Sequence, residues 1–266
     1  MLYQERNIAE EALFHITAHG HYYLNPYFGC SENCAQCYWP EIPGWSGQIT
    51  AWVNIPDIFE THAAAWDPSR RIYLGSYCNP YEQIETKYGL TRKLLEIILH
   101  YKIPYAIMTS SALIQRDFDL LSTMPEKGVL VFELSRVRRL TQYRKSGRHD
   151  VLDVANQFAA SGFRVLATVS PYLPEITDLD RLLCDLDTRI ALYLGPLDLV
   201  TSPHTRQRLH AEVAAYRPEL CSFYDTLLRG DQYDVLYHRL LQQYKGESRI
   251  RQFPLDIDEN TRDETF

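Results

Sequence analysis

The sequence predicts an α/β protein: six strands of a parallel sheet curled into a partial (β/α)6 TIM-like barrel, followed by a helical C-terminal extension. Two observations carry this. Between residues 71 and 194, short and near-continuous apolar runs alternate with stretches of helical spacing, the pattern of a parallel sheet covered by helices. Beyond Gly195 the strand pattern stops and only helical spacing remains. A chain of 266 residues is long enough for one large domain with its own core. The core is expected over about residues 20–200, the extension over 201–246 and a polar tail over 247–266.

In chain order, residues 1–20 read as an N-terminal segment with a short amphipathic turn. His21-Tyr22-Tyr23-Leu24-Asn25 is aromatic-rich and bounded by Pro26, which suits a first strand. After Pro40 a loop is expected around Pro43, Gly44 and Gly47. Asn54 to Trp66 follows as a helix, with Ile55, Ile58, Phe59 and His62 at helical spacing and Pro56 just inside the start. Arg71 to Ser76 is a second strand, Leu90 to Tyr101 a helix, and Tyr105 to Thr109 a buried strand. Arg116 to Met124 is a short helix and Val129 to Leu134 a strand. Val151 to Ser161 is a helix ended by Gly162, Arg164 to Val169 a strand, Asp178 to Leu186 a helix and Arg189 to Leu194 the sixth strand. The extension reads as helices over His204 to Tyr216, Cys221 to Leu228 and Tyr233 to Tyr244.

Composition narrows the function classes. An apolar share of 45% with 23% charged residues is ordinary for a soluble globular protein. No apolar run approaches the ~18 residues of a membrane span, and Met1-Leu2-Tyr3-Gln4-Glu5-Arg6 lacks the order of a secretory signal. A cytoplasmic protein without a membrane partner is expected. The net charge of −7 argues against nucleic acid as a partner.

The chemistry is concentrated in Asn25-Pro26-Tyr27-Phe28-Gly29-Cys30-Ser31-Glu32-Asn33-Cys34-Ala35-Gln36-Cys37-Tyr38-Trp39-Pro40. One tight loop can turn the thiols of Cys30, Cys34 and Cys37 toward a common centre, and no fourth cysteine or histidine follows nearby. Structural zinc sites take four protein ligands and iron–sulfur clusters four thiolates, so three imply a metal position left open to something other than protein. A zinc loop completed by His19, His21 or the distant Cys78, or a chance cluster, is the alternative.

The cysteine spacing, with an aromatic directly after the last, closely resembles the signature of the radical S-adenosylmethionine (SAM) superfamily. That resemblance implies one 4Fe-4S cluster on Cys30, Cys34 and Cys37, with the amino and carboxylate groups of SAM on the open iron. It also implies reductive cleavage of SAM to methionine and a 5′-deoxyadenosyl radical, with a flavodoxin- or ferredoxin-type electron donor. An oxygen-sensitive cluster needs a reducing compartment, so the six cysteines are read as ligand and reactive thiols. Cys184 and Cys221 fall at apolar helix positions, where burial is expected.

Further segments resemble the spore photoproduct lyase-like branch of that superfamily: Asn25-Pro26-Tyr27, Gly75-Ser76-Tyr77-Cys78-Asn79-Pro80-Tyr81-Glu82, Lys87-Tyr88-Gly89-Leu90-Thr91-Arg92, Thr109-Ser110-Ser111-Ala112-Leu113-Ile114 and Arg116-Asp117. The likeness extends from about residue 20 to about residue 200. Strand carboxyl ends point into the mouth of such a barrel. By the family pattern, Ser76 and Asn79 hold the methionyl amino group of SAM, Thr109 and Ser110 its carboxylate, and Glu133 and Ser135 the ribose hydroxyls. The backbone of Val169 and Ser170 meets adenine, and Tyr38 borders the adenine or relays an electron.

Two departures stand out. Many relatives carry a lysine where this chain has Ser110, so carboxylate binding must rest on another base. Where many have a threonine this chain has Cys78, and in the named branch a cysteine in that place gives a hydrogen atom to the substrate radical. The pattern thus offers Cys78 as hydrogen donor, with Tyr77 or Tyr38 reducing the thiyl, and a small buried cysteine as the alternative.

Arg136, Arg138, Arg139, Arg144, Lys145 and Arg148 are expected in a loop opening onto the mouth, with no acid among the side chains from 136 to 148. Guanidinium groups pair with phosphate oxygens, and a basic loop in an acidic protein points to a compact anionic ligand, with Tyr143 and Tyr172 available to stack on a ring. A solvated basic loop is the alternative. The expected function is a radical SAM enzyme taking hydrogen from a small anionic substrate, a nucleotide or sugar phosphate, in biosynthesis or natural-product tailoring. The other readings are DNA-lesion repair of the spore photoproduct type and a non-catalytic zinc-binding or interaction protein.

Overall fold

The computed structural model describes residues 3–17, 20–32, 34, 35, 37, 40, 46–75, 78–147, 149–197, 202–229 and 232–252. Strands β1 (Tyr3–Arg6), β2 (Phe14–Ile16), β3 (Tyr22–Leu24), β4 (Tyr27–Phe28) and β5 (Ile49–Trp52) precede helix α1 (Ile55–Ala63). Then follow β6 (Ile72–Leu74), α2 (Glu85–Tyr88), α3 (Leu90–His100), β7 (Tyr105–Thr109), α4 (Phe118–Leu121) and β8 (Gly128–Glu133). The barrel continues through α5 (Val137–Ser146), α6 (Asp150–Ala160), β9 (Arg164–Val169), α7 (Leu179–Asp185) and β10 (Ala191–Leu194). Helices α8 (Pro203–Tyr216), α9 (Cys221–Leu227) and α10 (Gln232–Gln243) lead to β11 (Ile250–Gln252).

The six strands expected from the sequence are β3, β6, β7, β8, β9 and β10, adjacent in that order and parallel at every pairing. Their near-continuous apolar character follows from burial on both faces. Tyr73, Ala106, Val129, Val131, Leu166 and Tyr193 form one cluster inside the curl of the sheet. Their chain neighbours Leu74, Ile107, Leu130, Phe132, Val165, Ala167 and Leu194 pack outward in the larger core under the helices. Side chains alternate between faces along a strand, so Val129 and Val131 carry Glu133 to the inner face at the end of β8. Leu166 does the same for Thr168 on β9, and the two residues sit opposite each other in the register.

The helices cover the sheet through apolar stripes, as in α3, where Leu90, Leu94, Leu95 and Ile98 are buried. Gly75 shows how the chain leaves β6: its φ is +99°, and a Cβ there would run into the carbonyl of Met108. Only glycine permits this backbone at so close an approach.

Four expectations are corrected. Residues 137–146 form a helix, α5, where a basic loop was expected. Arg, Leu, Gln and Lys are strong helix formers, Val137, Leu140 and Thr141 fall on a buried face, and Gly147 with φ +72° ends it. The charge run masked that spacing. A second sheet of order β1-β5-β4 stands where an N-terminal turn and a loop were expected, with the side-chain amide of Gln4 donating to Thr50 Oγ1 at 2.7 Å. At the other end, residues 250–252 add to the sheet as β11, parallel to β10, so the tail begins as an edge strand. The helix expected at 116–124 is a 3-10 turn over Ala112–Asp117 running into the short α4. Among the described residues no helix is long and apolar enough to cross a membrane.

Candidate active site at the carboxyl ends of the strands

The cysteine loop leaves β4 and is held from below by a buried carboxylate. Glu82, fully buried, accepts the backbone amide of Ser31 at 2.8 Å, and its other oxygen takes the Ser31 hydroxyl. Cys30, Cys34 and Cys37 are unbridged and half-buried. The amide of Cys37 donates to the carbonyl of Cys34 at 3.0 Å, a tight turn that keeps the last two cysteines together. Burial pushes the thiols of Cys30 and Cys34 up, with the charge of Glu82 adding to the first and that of Glu133 to the second.

Above the loop the strand ends bring together the residues assigned to the methionyl group. Thr109 Oγ1 donates to Asn79 Oδ1 at 2.7 Å, the Tyr81 amide donates to the same oxygen at 3.0 Å, and Asn79 Nδ2 reaches Ser110 Oγ at 3.3 Å. Arg136 Nη2 donates to Ser110 Oγ at 2.6 Å and the same guanidinium pairs with Glu32 of the cysteine loop. Arg139 holds the carbonyl of Ser110. The cationic groups at the position where the sequence has serine therefore come from the start of α5. Burial and the neighbouring Arg139 push the Arg136 guanidinium down to about 10, and its buried Nε has no partner among the described residues.

Glu133 and Ser135 are also adjacent. Glu133 Oε1 accepts the Ser135 amide at 2.6 Å and lies against the Ser135 hydroxyl, which in turn is 2.9 Å from the carbonyl of Ser170. Burial pushes the Glu133 carboxyl up, against the opposing effect of Ser135. Val169 is buried and its carbonyl accepts the amide of Gly195 at 2.9 Å, so one backbone group assigned to adenine is engaged by the sheet end.

Beside Arg136 and the cysteine loop lies a cavity of about 850 Å³. The loop contributes Glu32, Cys34 and Ala35, the start of α5 contributes Arg136, Arg138, Arg139 and Gln142, and α6 contributes His149 and Asp150. Helix α8 closes it with Arg208, Ala211, Glu212 and Tyr216. Its wall is mixed in charge: Arg136 pairs with Glu32, and Arg139 Nε lies 3.5 Å from Asp150. Arg138 is exposed and has no side-chain partner among the described residues. Three unbridged cysteines on one loop, with Cys34 on the cavity wall, fit a thiolate-bound iron–sulfur cluster with one iron open to an outside ligand, and the polar strand ends fit a compact zwitterion. Among the described residues, no three His, Cys, Asp or Glu side chains converge as the ligand set of a single metal ion.

Other residues singled out in the sequence lie elsewhere. Tyr143 is one turn beyond Arg139 on α5, buried, with its hydroxyl 2.5 Å from Asp185 Oδ2 and its ring under Arg181. Tyr172 is 9% exposed, its amide donating to the Gly195 carbonyl and its carbonyl accepting the Tyr233 hydroxyl. Both are buried, and neither borders the cavity. Arg144 donates to the carbonyl of Glu175 at 3.3 Å, and Lys145 is exposed at the far end of α5, so neither borders the cavity. Cys78 is buried in a separate small core with Tyr27, Ile84 and Leu90, and burial pushes its thiol up. Cys184 is exposed and Cys221 half-buried, where burial was expected for both. Tyr38, Ser76, Tyr77 and Arg148 lie outside the described residues.

The sequence reading missed Glu82, Arg208 and Glu212. Arg208 donates to the carbonyls of Cys34 at 2.7 Å and Cys37 at 3.0 Å, and Glu212 lies beside it on the cavity wall, where the backbone of Ala35 and Arg138 favours its charged form. The only signal in the sequence was an opposite-charge pair four residues apart on a helix, which surface helices share.

Comparison with known proteins agrees with this architecture. No family model matches the chain. An uncharacterised protein of Methanocaldococcus jannaschii is 26% identical over 172 residues, 61% of this chain and 64% of that protein. Among solved structures, a doubly substituted spore photoproduct lyase with bound AdoMet and dinucleoside spore photoproduct superposes with a TM-score of 0.53 at 16% identity, covering 81% of this chain and 66% of that one. A tyrosine-to-phenylalanine variant of the lyase gives 0.52 at 15%, with the same coverage. The lyase complexed with the dinucleoside photoproduct gives 0.52 at 15%, covering 77% and 64%. The chain thus spans slightly under two thirds of these relatives' length, and it has the fold of spore photoproduct lyase.

Proposed function

We propose that this chain is a radical SAM enzyme acting on a small anionic substrate, a nucleotide or sugar phosphate. The observation that carries the reading is that Arg136 joins the three-cysteine loop, through Glu32, to the polar strand ends, through Ser110, at the wall of one cavity. When bound, a 4Fe-4S cluster and SAM would supply a 5′-deoxyadenosyl radical that takes a hydrogen atom from the substrate, with the electron from a flavodoxin- or ferredoxin-type donor. Cys30, Cys34 and Cys37 would hold the cluster. Asn79, Thr109, Ser110 and Arg136 would orient the methionyl group, with Arg136 as the base that Ser110 cannot be. Glu133 and Ser135 would hold the ribose hydroxyls. Arg138 and Arg139 would bind the substrate anion, and the cavity volume falls in the ordinary range of small-ligand sites.

A second reading is supported by the fold likeness to the lyase complexes: a lyase acting on a nucleic-acid lesion. A dinucleoside lesion is itself a compact nucleotide-like ligand, and a wall carrying Glu32, Asp150 and Glu212 beside its arginines suits such a fragment better than a long duplex. The test is anaerobic reconstitution followed by a deuterium-transfer screen. Labelled nucleotides, sugar phosphates and lesion-bearing oligonucleotides are each incubated with reduced protein and SAM. Brown protein, SAM cleavage and deuterium in 5′-deoxyadenosine from a mononucleotide or sugar phosphate support the first reading, and transfer from the lesion alone supports the second. A colourless protein indifferent to SAM leaves a zinc-binding or interaction role.

A further inference from the structure

The geometry points to Arg208, on helix α8 of the C-terminal extension, as a positioning residue for the three-cysteine loop: its guanidinium holds the loop's backbone and lends positive charge to whatever the thiols bind. The inference rests on the reading that the thiols hold an iron–sulfur cluster.

Arg208 and Glu212 are one turn apart on α8 and face the same way. The two ends of the Arg208 fork go to two carbonyls of the loop, Cys34 at 2.7 Å and Cys37 at 3.0 Å, across a sequence separation of 174 and 171 residues. The same Cys34 carbonyl closes the turn by accepting the Cys37 amide. Arg208 is thus a second donor on the turn that sets the spacing of two thiols. Glu212 lies beside Arg208 on the cavity wall, close enough to the backbone of Ala35 and Arg138 for these to favour its charged form. Helix α8 therefore holds the loop through Arg208 and packs against α5, at whose start Arg136 and Arg139 hold Ser110. Among the described residues beyond β4 the loop has no strand pairing, and Arg208 adds a restraint from helix α8 to those of Glu82 and Arg136.

Two consequences follow. A planar fork can hold both carbonyls at once, whereas a lysine is a single point charge. A fixed cation beside thiolates favours the more negative, reduced form of a cluster, which raises its potential.

The full-length chain is reconstituted anaerobically, and wild type, Arg208→Gln and Arg208→Lys are titrated for reduction potential by electron paramagnetic resonance. Arg208→Gln is expected to shift the reduction equilibrium about tenfold toward the oxidised form, about 59 mV more negative for one electron. Arg208→Lys, which keeps the charge, is expected to recover more than half of that shift. In the metal-free chain, alkylation of Cys34 and Cys37 is followed by mass spectrometry, with the exposed Cys184 as internal reference. Both variants are expected to react several-fold faster at Cys34 and Cys37 and unchanged at Cys184, because both lose the fork. A potential and alkylation pattern in Arg208→Lys and Arg208→Gln equal to wild type overturns the proposal. If Arg208→Gln unfolds, lysine-variant alkylation at the wild-type rate overturns it as well. Wild type that takes up no iron defeats the cluster reading alone, since alkylation then still judges the clamp.

Discussion

Arg116 Nη2 lies 2.6 Å from Glu85 Oε1, an ion pair whose carboxylate is fully buried. Glu85 also accepts the amide of Thr91 at 2.9 Å and the phenol of Tyr27, two residues before Gly29 and the cysteine loop. Removing one partner of such a pair strands the other charge. Arg116→Met is expected to cost about 3 kcal/mol, and adding Glu85→Gln to recover part of it. Urea unfolding of the two variants measures both, and additive losses would show the residues to be uncoupled.

Gly75 turns the chain out of β6 with φ +99° against the Met108 carbonyl. Gly75→Ala adds a Cβ where backbone stands, so a loss of about 3 kcal/mol or more is expected. The urea midpoint reports it, and an unchanged midpoint would mean that the β6 exit has room to relax.

His149 caps α6, its Nδ1 accepting the Leu152 amide at 3.3 Å. Burial holds its imidazole below the ordinary histidine value. With the folded value depressed, the unfolded chain takes up a proton first, so the contribution is present above the ordinary value near 6.5 and is lost as pH falls. His149→Asn keeps a capping side chain without the titration. Comparing urea midpoints of wild type and variant between about pH 7 and pH 5, the wild type is expected to lose more stability on acidification. Parallel curves would assign the loss to other groups.

Tyr143→Phe removes the hydroxyl that meets Asp185 at 2.5 Å. A stability loss of about 1 kcal/mol is expected, with nucleotide affinity by calorimetry unaltered because the ring is away from the cavity. Weakened nucleotide binding without a stability change would return Tyr143 to the substrate site.

Cys78 sits among Tyr27, Ile84 and Leu90. Cys78→Ala is expected to cost about 1 kcal/mol as a small cavity opens. Deuterium incorporation into product then distinguishes its two roles: an altered pattern marks the thiol as hydrogen donor, and an unchanged one leaves it a packing residue.

The barrel was legible because its strands are buried on both faces and its helices on one, and each burial pattern writes its own period into the chain. Thus Tyr105–Thr109 and Gly128–Glu133 could be read as strands without knowing their neighbours. The cysteine loop was legible for a similar reason, since its ligands are consecutive and their spacing is local. Alternation along β8 likewise places Glu133 on the inner face. Short strands such as Ile49–Trp52, central in the small sheet, and Ile250–Gln252, at the edge of the large one, were not legible, because their order depends on partners distant in sequence. Nor was the division of the basic segment: Arg136 and Arg139 turn to Ser110 while Arg144 turns to Glu175, a difference set by which turn of α5 each occupies. By itself the sequence determined the parallel sheet and the three thiols. The tertiary structure alone decided that Glu82 supports the loop from beneath and that Arg208 closes it from helix α8. Contacts between residues some fifty to more than one hundred and seventy positions apart leave no periodic trace in the chain; they exist only once the sheet has curled and α8 has packed across its mouth.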